Sequence, residues 1–221
     1  MMYTSSTEAT VNATGTEKVP IKLGQETDQQ GSTFTTVKIE SQIWMAQNLN
    51  VNRFRNGEKI FEAKSINEWI YCERNKIPAW CYYENDIENG KFYGRLYNWY
   101  AINDSRGLAP SGWHIPTSAE WEVLANRKEG NIGNKLKANN MWEISKSEEK
   151  GTNEFSFNAL PGGYRSPLGL FKDVASSGYW WCSNQTGSDK AWSIYLTSQG
   201  NHVTLNSEWK NQGCAVRCIK N

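Results

Sequence analysis

Eleven tryptophans, ten tyrosines and seven phenylalanines stand in a chain of 221 residues, and this aromatic load constrains the fold more than any other feature. Each such side chain buries on the order of 150–250 Å², so a modest number of them can close a core around little regular secondary structure. The apolar residues together make up only 38% of the chain, and eighteen glycines accompany them. Glycine supplies the left-handed backbone positions that tight turns and loops require. The length suits one large domain, or one domain with a tail.

The formal net charge is +1, which gives no electrostatic reason to expect nucleic acid or an anionic membrane surface as partner. No apolar run approaches the roughly 20 residues of a membrane span. The opening residues Met1 to Ser6 carry neither a basic nor an apolar signal region, which leaves two readings, a chain that is not exported and one whose signal has been removed. The five cysteines, Cys72, Cys81, Cys182, Cys214 and Cys218, are odd in number, so at least one is a free thiol or pairs between molecules. They form no C-x-x-C pair, and the only histidines are His114 and His202. That spacing does not build a structural zinc site, and no metal or other cofactor is expected.

Residues 1–32 are rich in Thr, Ser, Glu, Gln and Gly. They are read as a flexible tail or linker, with at most a short extended piece at Val19–Leu23, because they bury too little to offset chain entropy. Order is expected over residues 33–221. Thr33–Ile39 and Gln42–Ala46 flank Glu40-Ser41 as a hairpin. Ser65 with Glu68, and Thr117 with Glu120, have the spacing of capping boxes and predict helices from Ser65 and from Thr117. A further short helix is expected over Asn131–Ala138. Tyr93–Ile102 is an aromatic interior segment. Later come the alternating run Phe155–Leu160, a buried strand at Gly178–Ser183 and a hairpin of Ala191–Leu196 with His202–Leu205. Cys214–Ile219 is expected as a final strand.

Several stretches carry a family likeness. Thr36–Ile39 with Ile43–Leu49, Tyr93–Ala101, Leu108–Thr117 running into Glu120-Trp121, Leu160–Arg165, Tyr179-Trp180-Trp181, and Val216–Ile219 together resemble the Fibrobacter succinogenes major paralogous domain, in order, from about Thr33 to Asn221. The resemblance implies an α+β, C-type-lectin-like fold close to the formylglycine-generating enzymes, with a short twisted antiparallel sheet, two main helices and long loops. It also implies an exported protein or lipoprotein of Bacteroidetes or related bacteria, although nothing in the residues excludes the cytoplasm. In some proteins of this fold the last fifty or so residues are diversified by retroelements, and the C-terminal region here resembles such a segment. Cys182 and Cys214 depart from the family pattern, which implies a Cys182–Cys214 disulfide first and Cys81–Cys218 second.

Few residues point to catalysis. His114, between Trp113 and Ile115, reads as a buried, hydrogen-bonded structural histidine, and His202, past a turn, as an exposed one. Cys214 and Cys218 on one strand would lie about 13 Å apart, too far for a thiol pair. Arg165 and Arg217 read as salt-bridging or carbonyl-capping residues. Glu84, Asp86 and Glu88 offer oxygens to calcium but lack the glycine and terminal glutamate of a helix-loop-helix site, and Glu148-Glu149 is a charged loop pair. The tryptophans Trp44, Trp99, Trp113, Trp121, Trp180 and Trp181 read as core.

The polar stretches between Ser183 and Asn211 read differently. Asn, Ser, Gln and Tyr on loops over a rigid scaffold make an adaptable recognition surface. The candidate ligand-binding residues are Asn184, Gln185, Thr186, Tyr195, Thr197, Asn201, His202, Thr204, Asn206, Ser207 and Trp209. The expected function is a non-catalytic binding module of an exported or surface protein, recognising a protein or glycan. The alternatives are an oxidase of the formylglycine-generating type using Cys182 and Cys214, and a structural unit of a pilus or envelope assembly.

Overall fold

A computed structural model describes residues 23–126, 130–143 and 150–221. In chain order the strands are β1 (Leu23–Thr27), β2 (Thr33–Ile39), β3 (Gln42–Met45), β4 (Phe61–Glu62), β5 (Ala79–Cys81), β6 (Leu96–Tyr97), β7 (Trp113–His114), β8 (Gly162–Arg165), β9 (Phe171–Val174), β10 (Ser177–Gln185), β11 (Lys190–Thr197), β12 (Thr204–Trp209) and β13 (Ile219–Lys220). The helices are α1 (Ile66–Arg74), α2 (Ile87–Tyr93), α3 (Trp99–Ile102), α4 (Ser118–Ala125) and α5 (Ile132–Leu136). The fold is α+β, as expected. In place of one short antiparallel sheet the described residues form three, in the orders β1-β2-β3-β13-β7, β12-β11-β10-β8-β9 and β4-β5-β6. Two of them contain a parallel pair, β4 with β5 and β8 with β10.

Local signals produce the elements they predict. The β2–β3 hairpin turns at Glu40, whose φ is 54°. Ser65 and Glu68 close a capping box on α1, and Thr117 and Glu120 close one on α4. Strand β1 falls inside the stretch read as tail. It pairs antiparallel with β2 over its full length, from Leu23↔Val37 to Thr27↔Thr33, and so satisfies backbone groups that β2 would otherwise leave open. The extended piece expected from Val19 lies outside the described residues except for Leu23, as does Glu148-Glu149. Phe155–Leu160 forms no strand, because Ser156 and Asn158 adopt left-handed φ of 54° and 55°.

Cys214–Ile219 is not one strand. Every residue from Lys210 to Ile219 is buried, and the segment distributes its backbone bonds among all three sheets. Cys214 N donates to Tyr97 O of β6, Ala215 N to Tyr179 O of β10, and Cys218 O accepts from Met45 N of β3. A segment that stitches sheets together cannot also run in a regular ladder. Three apolar clusters meet around it. One gathers Trp99, Trp113, Trp181, Cys214 and Cys218. A second gathers Trp44, Trp121, Trp180, Phe157 and Cys182, and a third Trp69, Cys72 and Cys81.

The indoles act as cross-links as well as filler. Trp69 Nε1 donates to Asn211 O (2.9 Å), Trp99 Nε1 to Cys182 O (3.0 Å), Trp142 Nε1 to Ala159 O (2.9 Å) and Trp181 Nε1 to Tyr97 O (2.7 Å). Each bond satisfies a buried carbonyl distant in sequence, which a loop-rich chain must otherwise leave unpaired.

Candidate functional site

The sheet β12-β11-β10-β8-β9 carries most of the candidate residues, and its register sorts them. On adjacent strands, residues directly opposite share a face and alternate along each strand. Tyr179↔Tyr195↔Thr204 and Trp181↔Ser193↔Asn206 therefore lie on one face, while Trp180↔Ile194↔Leu205, Trp192↔Ser207 and Lys190↔Trp209 lie on the other. Parallel pairing of Gly178 with Gly163 brings Tyr164 beside Tyr179 on the first face, and Tyr164 opposes Lys172 on β9.

A row of half-buried tyrosines results. The rings of Tyr164 and Tyr179 meet edge-on at 4.8 Å, and those of Tyr179 and Tyr195 stack at 5.7 Å with 27° between planes. The row ends on small Thr204, in edge strand β12. Acidic groups flank it. Asp173 Oδ2 accepts from Tyr179 Oη at 3.1 Å, and Glu208 Oε1 accepts from Asn206 Nδ2 at 2.8 Å. Burial pushes the Glu208 carboxyl above the usual carboxylate range, outweighing its hydrogen bonds with Asn206 and Gln212 and the nearby Lys190 charge. Burial likewise raises the Tyr164 and Tyr179 phenols, and the Asp173 charge adds to it. Among the described residues neither Asp173 nor Glu208 forms an ion pair.

The eleven candidates thus separate. Tyr195, Thr197, Thr204 and Asn206 lie on the tyrosine face. Thr186, Ser207 and Trp209 lie on or beside the opposite one, where Thr186 Oγ1 and Ser207 Oγ are 2.6 Å apart. Trp209 is 50% exposed, with Lys190 Nζ 4.8 Å from its ring centroid. It belongs to a strand, not a loop as the sequence reading had it, because Thr204–Trp209 pairs fully with β11. Asn184 holds the start of α4, accepting from Ser118 N at 2.8 Å and donating to Ser118 Oγ at 3.0 Å. Gln185 accepts from Lys210 Nζ at 2.8 Å, and Asn201 donates to Asn131 at 2.6 Å. These three are framework contacts. His202 is exposed. Sequence reasoning missed Tyr164, Tyr179, Asp173 and Glu208 as neighbours of Tyr195. Tyr164 and Tyr179 stood in quoted motifs, but their meeting depends on a parallel pairing between distant strands.

The expected disulfides are not formed, and all five cysteines are buried free thiols. Alternation along β10 sends Trp181 into one cluster and Cys182 into another, whereas Cys214 joins Trp181. Cys182 and Cys214 therefore belong to different faces. Cys81 and Cys218 likewise lie in separate clusters. Burial pushes the thiols of Cys72 and Cys81 up to about 11 and that of Cys218 to about 12, and raises Cys182 and Cys214 as well. This setting suppresses the thiolate that nucleophilic or redox chemistry needs.

His114 is hydrogen-bonded but not buried. Its Nδ1 lies 2.8 Å from Asn221 Oδ1 and its Nε2 2.8 Å from Glu120 Oε1, with its side chain 38% exposed. The ring sits at the entry to α4, where the Thr117–Glu120 capping box holds its partner. Arg165 and Arg217 cap carbonyls. The first donates to Gly169, Ala63 and Ser65, and the second to Met45 and Phe157. Asp86 caps α2 and Glu88 pairs with Lys91, so two carboxylates of the Glu84, Asp86 and Glu88 triplet serve helix α2. Among the described residues no group of three or more His, Cys, Asp or Glu could hold a metal ion, and no helix is long and apolar enough to cross a membrane.

A model of the Fibrobacter succinogenes major domain matches residues 37–220. The chain belongs to this family. No curated protein and no solved structure matches it. The stretches that carried the likeness to the Fibrobacter succinogenes major domain supply much of the core, including Trp44, Trp99, Trp180, Trp181, Arg165 and Arg217, all buried. Family membership therefore accounts for the scaffold. Tyr164 and Tyr179 stand in those same stretches, whereas Tyr195 and the edge strand do not, and the chemistry of the row must be argued from its own residues.

Proposed function

We propose that this chain is a non-catalytic binding module of an exported or surface protein, built on a C-type-lectin-like fold, and that it holds its partner on the tyrosine face of the C-terminal sheet. The observation that carries this reading is the row Tyr164–Tyr179–Tyr195–Thr204. Tyrosine offers large, rigid, amphipathic contact area at low entropic cost, and here it stands on strands rather than loops. Rigid elements hold a recognition surface in its productive geometry. The partner is a glycan or a protein. Trp209, half exposed on the opposite face of the same edge strand, extends the surface around the sheet edge.

The test is a printed array of glycans and envelope or extracellular proteins, probed with the wild type, Tyr195→Ala and Trp209→Ala. The reading expects at least one strong signal that Tyr195→Ala removes and Trp209→Ala weakens. Signals indifferent to Tyr195→Ala would overturn the assignment of the face, and an empty array would overturn the recognition role.

A further inference from the structure

We infer that the open end of the tyrosine row takes an uncharged sugar ring, seated over Thr204 against the free side of Tyr195. This rests on the binding reading above and narrows its ligand to a neutral saccharide. Tyr179 covers one side of Tyr195, at 5.7 Å and 27°. On the other side the cross-strand neighbour is Thr204, too small to cover a six-membered aromatic ring. The stack therefore stops one ring short at the sheet edge. A sugar ring has an apolar C–H face that fits an aromatic surface, and a girdle of hydroxyls that both donate and accept.

The flank of this notch has the matching groups. Thr204, Asn206 and Glu208 alternate along one face of β12, about 7 Å between successive positions, and present a hydroxyl, an amide and a carboxylate. Ser193 lies directly opposite Asn206 on the same face. It is fully buried, so it underlies this face and does not line the notch. Charge favours a neutral ligand. Asp173 and Glu208 lie along the row without ion pairs, but Lys172 stands opposite Tyr164 on the same face and Lys190 lies near Glu208, so the opposite charges balance and the row presents no net charge to an ionic ligand. The two carboxylates already accept from protein donors, Tyr179 Oη and Asn206 Nδ2, so they act as hydrogen-bond acceptors in a network and do not stand bare for a cation.

The experiment uses calorimetric titration of the full chain with cellobiose, mannobiose, N-acetylchitobiose, lactose and sialyllactose, alongside a neutral-glycan array. At least one neutral saccharide is expected to bind, and acidic sialyllactose to bind no more tightly than lactose. Tyr195→Ala is expected to weaken binding about tenfold, the worth of one aromatic contact. Thr204→Phe, a substitution on an edge strand that fills the notch, is expected to abolish binding while far-UV circular dichroism stays unchanged. Two results overturn the inference, no neutral saccharide bound, or saccharide bound equally by wild type and Thr204→Phe. If no sugar binds but a protein partner does so in a Tyr195-dependent way, the sugar assignment fails and the binding reading stands. Loss of every ligand would sink both.

Discussion

Asn48 shows how much of this fold hangs on single polar side chains. It is buried, and its Oδ1 accepts from Trp180 Nε1 at 2.8 Å and from Arg217 Nη2 at 2.7 Å and Nε at 3.2 Å, while its Nδ2 donates to Tyr93 O at 2.8 Å. Arg217 is fully buried, and burial lowers its guanidinium to about 9. Asn48→Ala would strip the cation of its one side-chain acceptor and orphan an indole N–H, a loss on the order of 3–5 kcal/mol. The measurement is a urea melt, and a change under about 1 kcal/mol would contradict this. Glu208 makes the opposite case. Its raised carboxyl means that folding favours the protonated form, so its contribution to stability is lost as pH rises from its unfolded value, about 4.3, through the higher folded one. Glu208→Gln should therefore raise the melting temperature at pH 7, and the gain should shrink towards pH 4. A gain independent of pH would show that the carboxyl is not desolvated.

At the scale of elements, what was legible in the sequence was what local chemistry decides. The β2–β3 hairpin, the capped starts of α1 and α4, and the β11–β12 hairpin each have their signals within a few residues. The parallel pairs were not legible, since β4 with β5 and β8 with β10 join strands with no turn between them. The tyrosine row was hidden for that reason, and only Tyr195 could be picked out. Gly163 is the hinge of that pairing. Its φ is +61°, and an added Cβ would run into the Lys172 carbonyl oxygen and the Tyr83 ring. Gly163→Ala is expected to cost about 2 kcal/mol or more, since it combines left-handed strain with a backbone clash. It should also disturb the ring of Tyr164 next to it, visible as altered near-UV circular dichroism. Wild-type stability and spectrum would contradict the role given to this position.

Over the whole molecule, three apolar clusters are sewn together by the segment from Lys210 to Ile219, and the sequence reads Cys214–Ile219 within it as an ordinary strand because its buried residues look alike whichever sheet they serve. The same segment explains the cysteines. Disulfides were expected because two unusual cysteines fell on neighbouring stretches, yet facing is decided by alternation, and Cys182 and Cys214 enter different clusters. The native protein is expected to react with a thiol reagent at pH 8 at almost none of its five cysteines, and the unfolded, unreduced protein at all five. A deficit of two or four thiols after unfolding would mean that bridges form. The central claim is that the tyrosine face of the C-terminal sheet holds the partner, and amide hydrogen exchange with the strongest ligand from the array tests it most directly. Protection is predicted at Gly162–Arg165 and Thr204–Trp209, with Ile87–Tyr93 unchanged. Protection centred on Ile87–Tyr93, or anywhere that leaves Thr204–Trp209 unaffected, would contradict the account.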